Sequence, residues 1–248
     1  MQAPPASPAR TFSVGGALSR VPSTWARNAA PFTVVALLVQ LPAFALAVGR
    51  RALYGPVTGP DLVQTIADNV LGLVTAGALT YGVLRALHGE KTSAGAMLAV
   101  GLRRFGRIFT TSLAVSVVVF AGSLALLIPG IVALAGLFVA VPAAVAEPGL
   151  GALVEAPRRS WELTKGRLFP VLGVVVVAFG VFTLAMTLVV VLLKLAVGMV
   201  PWPAGLALSR TCMAIAAGVL YSVPAVVYHD LRVEKEGVAT EDLVKVFE

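Results

Sequence analysis

Few side chains in this chain could do chemistry, and those that could fall into three groups. The first comprises Asp61, Asp68 and Asn69 at the start of one apolar run, Lys194 near the end of another, and Arg210 early in a third. Ionisable groups are expensive in hydrocarbon and mark functional cavities when they persist there. The five could line a polar cavity between helical hairpins; alternatively the two cations simply snorkel to headgroups. The second group, His88, Glu90, Glu147, His229 and Asp230, falls at the ends of apolar runs. Imidazoles with carboxylates could bind zinc, but no pair has the spacing of a ligand motif, so a solvated rim and no metal are expected.

The third group is basic: Arg103, Arg104 and Arg107, then Arg158, Arg159, Lys165 and Arg167. Such clusters grip lipid phosphates, at about 1 kcal/mol per cation near an anionic surface, or simply orient the chain. No nucleophilic Ser or Cys has a His close by in sequence. Ser160 reads as a helix-surface or capping residue. Cys212, the single cysteine, allows no disulfide within the chain and reads as a small buried hydrophobe. No catalytic residue and no cofactor are therefore expected.

The elements that must carry these residues follow from composition. Of 248 residues 58% are hydrophobic and only 12% charged, with a mean hydropathy of +0.92, against roughly 25% charged in soluble domains. Several runs of about 20 residues without a charge match the hydrocarbon thickness at helical rise, and the alternation of barrel strands is absent. The chain reads as an all-α polytopic membrane protein with spans at about 31–49, 62–87, 108–128, 131–146, 168–197 and 205–227. Residues 1–10, rich in Pro and Ala, read as a disordered tail; 11–230 form the membrane domain, and 231–248 a polar tail with a short helix from Thr240. A cleaved signal peptide is disfavoured because about 30 residues precede the first apolar core. Pro42 reads as a kink, and Pro129-Gly130 as the tight turn between the third and fourth spans.

A unit recurs before every second span. GALSRVPSTWARNAAPF from Gly16, GAMLAVGLRRFGRIF from Gly95 and GALVEAPRRSWELTKGRLF from Gly151 each open with Gly-Ala, turn basic and reach a Phe at the head of an apolar run. Each is expected to be an amphipathic interfacial helix, the first broken near Pro22, followed by one hairpin, with three such units packed around a common axis. The net charge of +7 is distributed unevenly. Fifteen of the nineteen Lys and Arg lie with the termini and the amphipathic units, and only Arg50, Arg51, Lys194 and Arg210 lie on the other side. The positive-inside rule then places both termini in the cytoplasm. Such an excess orients loops against anionic headgroups, and no basic run with interleaved aromatics points to nucleic acid.

The run Glu147-Pro148-Gly149 to Ala156, then Arg159-Ser160-Trp161-Glu162-Leu163-Thr164-Lys165-Gly166-Arg167, a long apolar span and a closing Tyr228-His229-Asp230-Leu231-Arg232 carry a family likeness. From Thr11 to Arg232 the chain resembles the membrane domain attached to some glycerophosphoryl diester phosphodiesterases and shared with YciC-like bacterial integral membrane proteins. It departs from the usual closing pattern in having His229 where Tyr is common, and no appended hydrolase domain is expected. The resemblance implies a six-helix fold in a bacterial inner membrane with no catalytic residues to carry over. The expected function is a non-enzymatic scaffold or accessory whose cytosolic amphipathic helices engage membrane lipids or a protein partner. The alternative is a small transporter or lipid-handling protein with a cavity between hairpins.

Overall fold

A computed structural model describes residues 12–55, 61–147, 149–195 and 201–237. The tail at residues 1–10, residues 56–60 of the first loop and the helix expected from Thr240 lie outside the described residues. The fold is all-α. In chain order the helices are α1 (Val14–Arg27), α2 (Ala29–Tyr54), α3 (Leu62–Leu87), α4 (Ala94–Arg103), α5 (Phe105–Ala125), α6 (Leu127–Gly136), α7 (Ala140–Ala146), α8 (Glu155–Thr164), α9 (Leu168–Leu195) and α10 (Trp202–Glu236). Six segments, α2, α3, α5, α6 with α7, α9 and α10, are long and apolar enough to cross a bilayer. The chain is a multi-pass membrane protein.

Three short helices precede the hairpins as the repeat predicts. Two start on a serine: the Ser13 Oγ accepts from the Gly16 N–H at 3.2 Å, and the Ser93 Oγ from the Ala96 N–H at 3.2 Å, each satisfying an orphan donor of a helix start. α1 is not broken at Pro22; it runs through it. Its buried residues Ala17, Val21, Thr24 and Trp25 follow helical spacing along one face.

The three units are arranged cyclically. Each short helix docks mainly on the hairpin of another unit: α1 on α9 and α10, α4 on α2 and α3, α8 on α5, α6 and α7. The first long helix of each hairpin likewise meets the second of the preceding one, pairing α2 with α10, α5 with α3 and α9 with α6. The second helices α3, α7 and α10 contact one another at the centre. The expected arrangement about a common axis is thus present in the pattern of contacts. It depends on close approach: a Cβ added at Gly101 of α4 would stand 2.7 Å from the Val74 carbonyl oxygen of α3.

Two expectations about the second hairpin are corrected. The chain reverses at Leu126, the single extended residue between α5 and α6 (φ −165°, ψ 145°), and not at Pro129-Gly130, which lie in the first turn of α6. Proline is tolerated there because the first N–H groups of a helix have no intrahelical acceptor. Gly130 lets the two helices nearly touch, since a Cβ would fall 2.8 Å from the Ser123 Cα. The fourth span is also interrupted, with a turn at 137–139 separating α6 from α7. At the other end, α10 continues six residues past Asp230 to Glu236 and closes on Gly237 in the left-handed region (φ 58°), so Leu231 to Glu236 are helix and not tail.

Packing is uneven along the bundle. The largest fully buried side chains, including Phe32, Leu79, Leu84, Met97, Ile108, Leu163, Tyr228 and Leu231, lie where α1, α4 and α8 dock; this is the closed end. Towards the opposite, open end α5 and α9 are peripheral: 11% and 17% of their most apolar stretches are buried, against 67% for α3. Their outward Leu, Val and Phe side chains present a lipid-facing surface.

Candidate functional site

The open end holds a cavity of about 650 Å³ among α2, α3, α9 and α10. Its polar lining comes from α3 (Asp68, Asn69), α10 (Ser209, Arg210, Thr211, Tyr221) and Gln40 of α2; Leu37, Leu41, Phe44, Phe182 and Met213 supply apolar wall. Asp68 and Arg210 pair directly in its lining. The Arg210 Nη1 donates to both carboxylate oxygens, at 2.8 and 2.9 Å, and the Gln64 Nε2 donates to Asp68 Oδ1 at 3.1 Å and to the Ala43 carbonyl at 3.2 Å. The pair keeps 26% (Arg210) and 37% (Asp68) side-chain exposure. Removing either partner would leave the other beside the cavity without its opposite charge.

The sequence positions explain the placement. Asp61, Gln64, Thr65, Asp68 and Asn69 recur at the three- and four-residue intervals of a single helix face. That face forms a polar stripe running from the start of α3 to the cavity. Asp61 caps the helix, accepting from the Gln64 N–H at 3.1 Å, and pairs with the Arg50 Nε at 2.8 Å. The Gln64 backbone N–H, with Arg50 beside it, holds the Asp61 carboxyl below its ordinary value against the opposing effect of desolvation. Arg51 stacks over the Trp202 ring at 5.0 Å, marking the same interface level. Asp68 lies seven residues further in, about 10 Å at helical rise. Tyr221 reaches the site because Gly72 leaves room: a Cβ there would lie 2.5 Å from the tyrosine hydroxyl.

Of the five residues expected to line a cavity, the structure brings Asp68, Asn69 and Arg210 together. Asp61 sits two turns above them with Arg50. Lys194 is exposed at the end of α9, away from the lining, where snorkelling accounts for it. Gln40, Gln64 and Tyr221 were not anticipated. For Gln64 the stripe was the available signal; Gln40 and Tyr221 had none. Cys212 is half-buried beside this region, less enclosed than expected.

At the closed end the basic residues serve the fold. Arg159 donates through Nε to Glu147 Oε1 at 3.1 Å and pairs with Glu236, while Arg167 pairs with Glu234. The Tyr228 hydroxyl donates to Glu147 Oε1 at 2.6 Å, and Arg232 Nε donates to Glu236 at 2.8 Å. The Arg107 Nη2 donates to the carbonyls of Glu147 and Leu150 at 3.1 and 2.5 Å, and Lys235 Nζ to those of Glu162 and Lys165 at 2.5 and 2.7 Å. These cations sit on the carbonyl ends of α7 and α8, where a positive charge meets the helix dipole favourably. Arg158 forms an exposed pair with Glu162 at 3.1 Å, and Arg104 is half-buried at the α4–α5 junction. Arg103 is exposed.

The expected solvated rim is corrected here as well. His229 and Asp230 are buried, and Asp230 accepts from the Arg20 Nη1 at 2.6 Å, tying α1 to α10. The cause is the continuation of α10 beyond them. Ser160 is not a surface residue either. It is fully buried, and its hydroxyl donates to the Gly136 carbonyl at 2.9 Å, joined by the Thr164 hydroxyl at 3.0 Å. The Ala140 N–H bonds instead to Leu137 O at 3.1 Å, so the break in the fourth span frees the Gly136 carbonyl and α8 satisfies it. Non-helical backbone at membrane depth is tolerated only with such internal partners.

Among the described residues no three of His, Cys, Asp and Glu converge as a metal site would require. Compared with protein-family models, with curated proteins and with solved structures, the chain shows no match.

Proposed function

We propose that this is a non-catalytic, ligand-handling membrane protein whose binding site is the cavity between α2, α3, α9 and α10. The observation that carries this reading is the Asp68–Arg210 pair, exposed to a cavity about 10 Å inside the span ends. A charge pair in that setting opposes the membrane's preference for apolar side chains, and the Asp68 carboxylate is more exposed than those that pair with Arg20, Arg159 and Arg167 at the closed end. The lining combines apolar walls with a few convergent polar groups, the general character of small-ligand sites.

The scaffold reading loses much of its support at the closed end. Arg107, Arg159 and Arg167 engage carbonyls and carboxylates of this chain, which leaves Arg103, Arg158 and Lys165 as the cations best placed for lipid headgroups. Among the described residues thirteen of seventeen Lys and Arg lie towards that end, which supports a cytoplasmic placement of it in a bacterial inner membrane. The cavity then belongs to the outer half of the bilayer.

Native mass spectrometry of protein extracted in mild detergent tests the reading. The wild type is expected to retain a small molecule that the double variant Asp68→Asn/Arg210→Gln loses. Identical spectra with no bound molecule in either protein would refute it.

A further inference from the structure

We infer that the cavity selects a zwitterionic headgroup, one carrying a primary ammonium beside an anionic phosphate, as in an ethanolamine phospholipid. The inference rests on the ligand-handling reading above and adds the chemical class of the ligand.

The site's charge is balanced. One carboxylate and one guanidinium stand in contact, so an anion approaching Arg210 also meets Asp68, and a cation approaching Asp68 also meets Arg210. In a medium of low dielectric either approach is opposed as strongly as it is favoured. A ligand bearing both signs a few ångströms apart avoids the conflict by pairing with each residue separately.

The unused hydrogen-bonding capacity points the same way. Arg210 bonds to Asp68 through Nη1 alone and makes no other hydrogen bond among the described residues. The three N–H donors on Nε and Nη2 are left for an anionic oxygen, for which the guanidinium fork is well shaped. Asp68 accepts three hydrogen bonds, two from Arg210 and one from Gln64, where a carboxylate has about four acceptor sites. The remaining one suits an N–H donor, which a primary ammonium has and a quaternary choline lacks. Asn69, Gln40 and Tyr221 add polar groups to the same lining.

The walls supply the tail's environment. Leu41 and Met213 line the cavity and are also 53% and 47% exposed on the surface of the bundle. Leu41 lies near the middle of α2 and Met213 about a third of the way along α10, so the cavity wall is continuous with the lipid-facing surface. A headgroup lodged at Asp68 and Arg210 could leave its acyl chains along that wall.

The test offers delipidated protein equimolar phosphatidylethanolamine, phosphatidylcholine and phosphatidylglycerol with matched acyl chains, and reads retained lipid by native mass spectrometry. The ethanolamine lipid is expected to be retained about tenfold over the other two. Asp68→Asn/Arg210→Gln should abolish the preference, the exchanged pair Asp68→Arg/Arg210→Asp should keep it, and Arg158→Gln should leave it unchanged. If the variants fail to fold, the wild-type ranking alone decides. Retention of the glycerol lipid at or above the level of the ethanolamine lipid, lost in the double variant, would overturn the zwitterion assignment, and the same result for the choline lipid would overturn the primary-ammonium assignment; either leaves the cavity as a site. Equal, weak retention of all three lipids, with no effect of any variant, would overturn the headgroup assignment, and the ligand-handling reading falls with it if protein extracted in mild detergent also carries no molecule that the double variant loses. In a separate arm, soluble glycerophosphoethanolamine competing as well as the lipid would support the headgroup chemistry and assign a water-soluble ligand; failure to compete with a retained lipid would support the chemistry with the acyl chains required.

Discussion

The two ends of the bundle treat charge in opposite ways. At the closed end Arg20, Arg107, Arg159, Arg167 and Lys235 each meet a carboxylate or a helix-terminal carbonyl, and the apolar groups around them are packed without access. At the open end one pair, Asp68 and Arg210, faces a cavity of about 650 Å³. The closed end therefore holds three hairpins in register, and the open end keeps a cavity beside its charge pair. The difference separates charges that maintain the fold from charges available to a ligand, although both kinds look alike as isolated Arg, Asp and Glu in a sequence.

Substitutions at the closed end should damage stability and spare binding per folded molecule. The largest effect is expected from Gly101→Val, whose side chain would meet the Val74 carbonyl oxygen and Ala78 of α3. Overpacking against backbone should lower stability by about 3 kcal/mol, seen as a collapse of monodisperse yield in size-exclusion chromatography. Glu147→Gln follows, because it leaves Arg159 and Tyr228 with a weaker acceptor. A loss of about 2 kcal/mol is expected from a charge-assisted, half-buried cluster, measured as a fall in the melting temperature in detergent. Ser93→Ala removes the cap of α4 and should cost about 1 kcal/mol. If any of these abolished ligand retention in protein that remained folded, the separation of the two ends would fail.

The smallest effect concerns pH. Burial is the main cause holding the His88 imidazole below its ordinary pKa; the neighbouring His229 and Arg85 act in the same direction, while the Leu84 carbonyl and Glu90 oppose them. The unfolded chain therefore takes up a proton at His88 before the folded protein does. The stability from keeping it neutral is complete above about pH 6.5 and falls as pH drops through the lowered folded value. His88→Gln should flatten that part of the melting-temperature profile. An unchanged profile would remove His88 from the account.

The spans and the three amphipathic units were legible because lipid imposes length and apolarity on every crossing segment; that each short helix docks on the hairpin of another unit was not. The reversal at Leu126 and the interruption at 137–139 were not, because both lie in unbroken apolar sequence with no charge or polar cluster to mark them. Two prolines carried the missing signal: Pro129 and Pro142 each occupy the third position of a helical segment, α6 and α7, where a missing N–H is harmless. Each marked a restart two residues earlier. Asp68, Asn69 and Arg210 were legible as a group because ionisable side chains stand out in apolar runs. Ser160 and Thr164 were not, since a hydroxyl satisfying a freed carbonyl looks the same in sequence as one facing solvent.

The most direct measurement is a density map of the purified protein in its native lipid. An ordered molecule is expected in the cavity, with density reaching both Arg210 and Asp68, together with an unbroken network of side-chain pairs at the closed end. An empty or side-chain-filled cavity, together with ordered lipid headgroups on Arg103, Arg158 and Lys165, would contradict this and make the closed end the working surface.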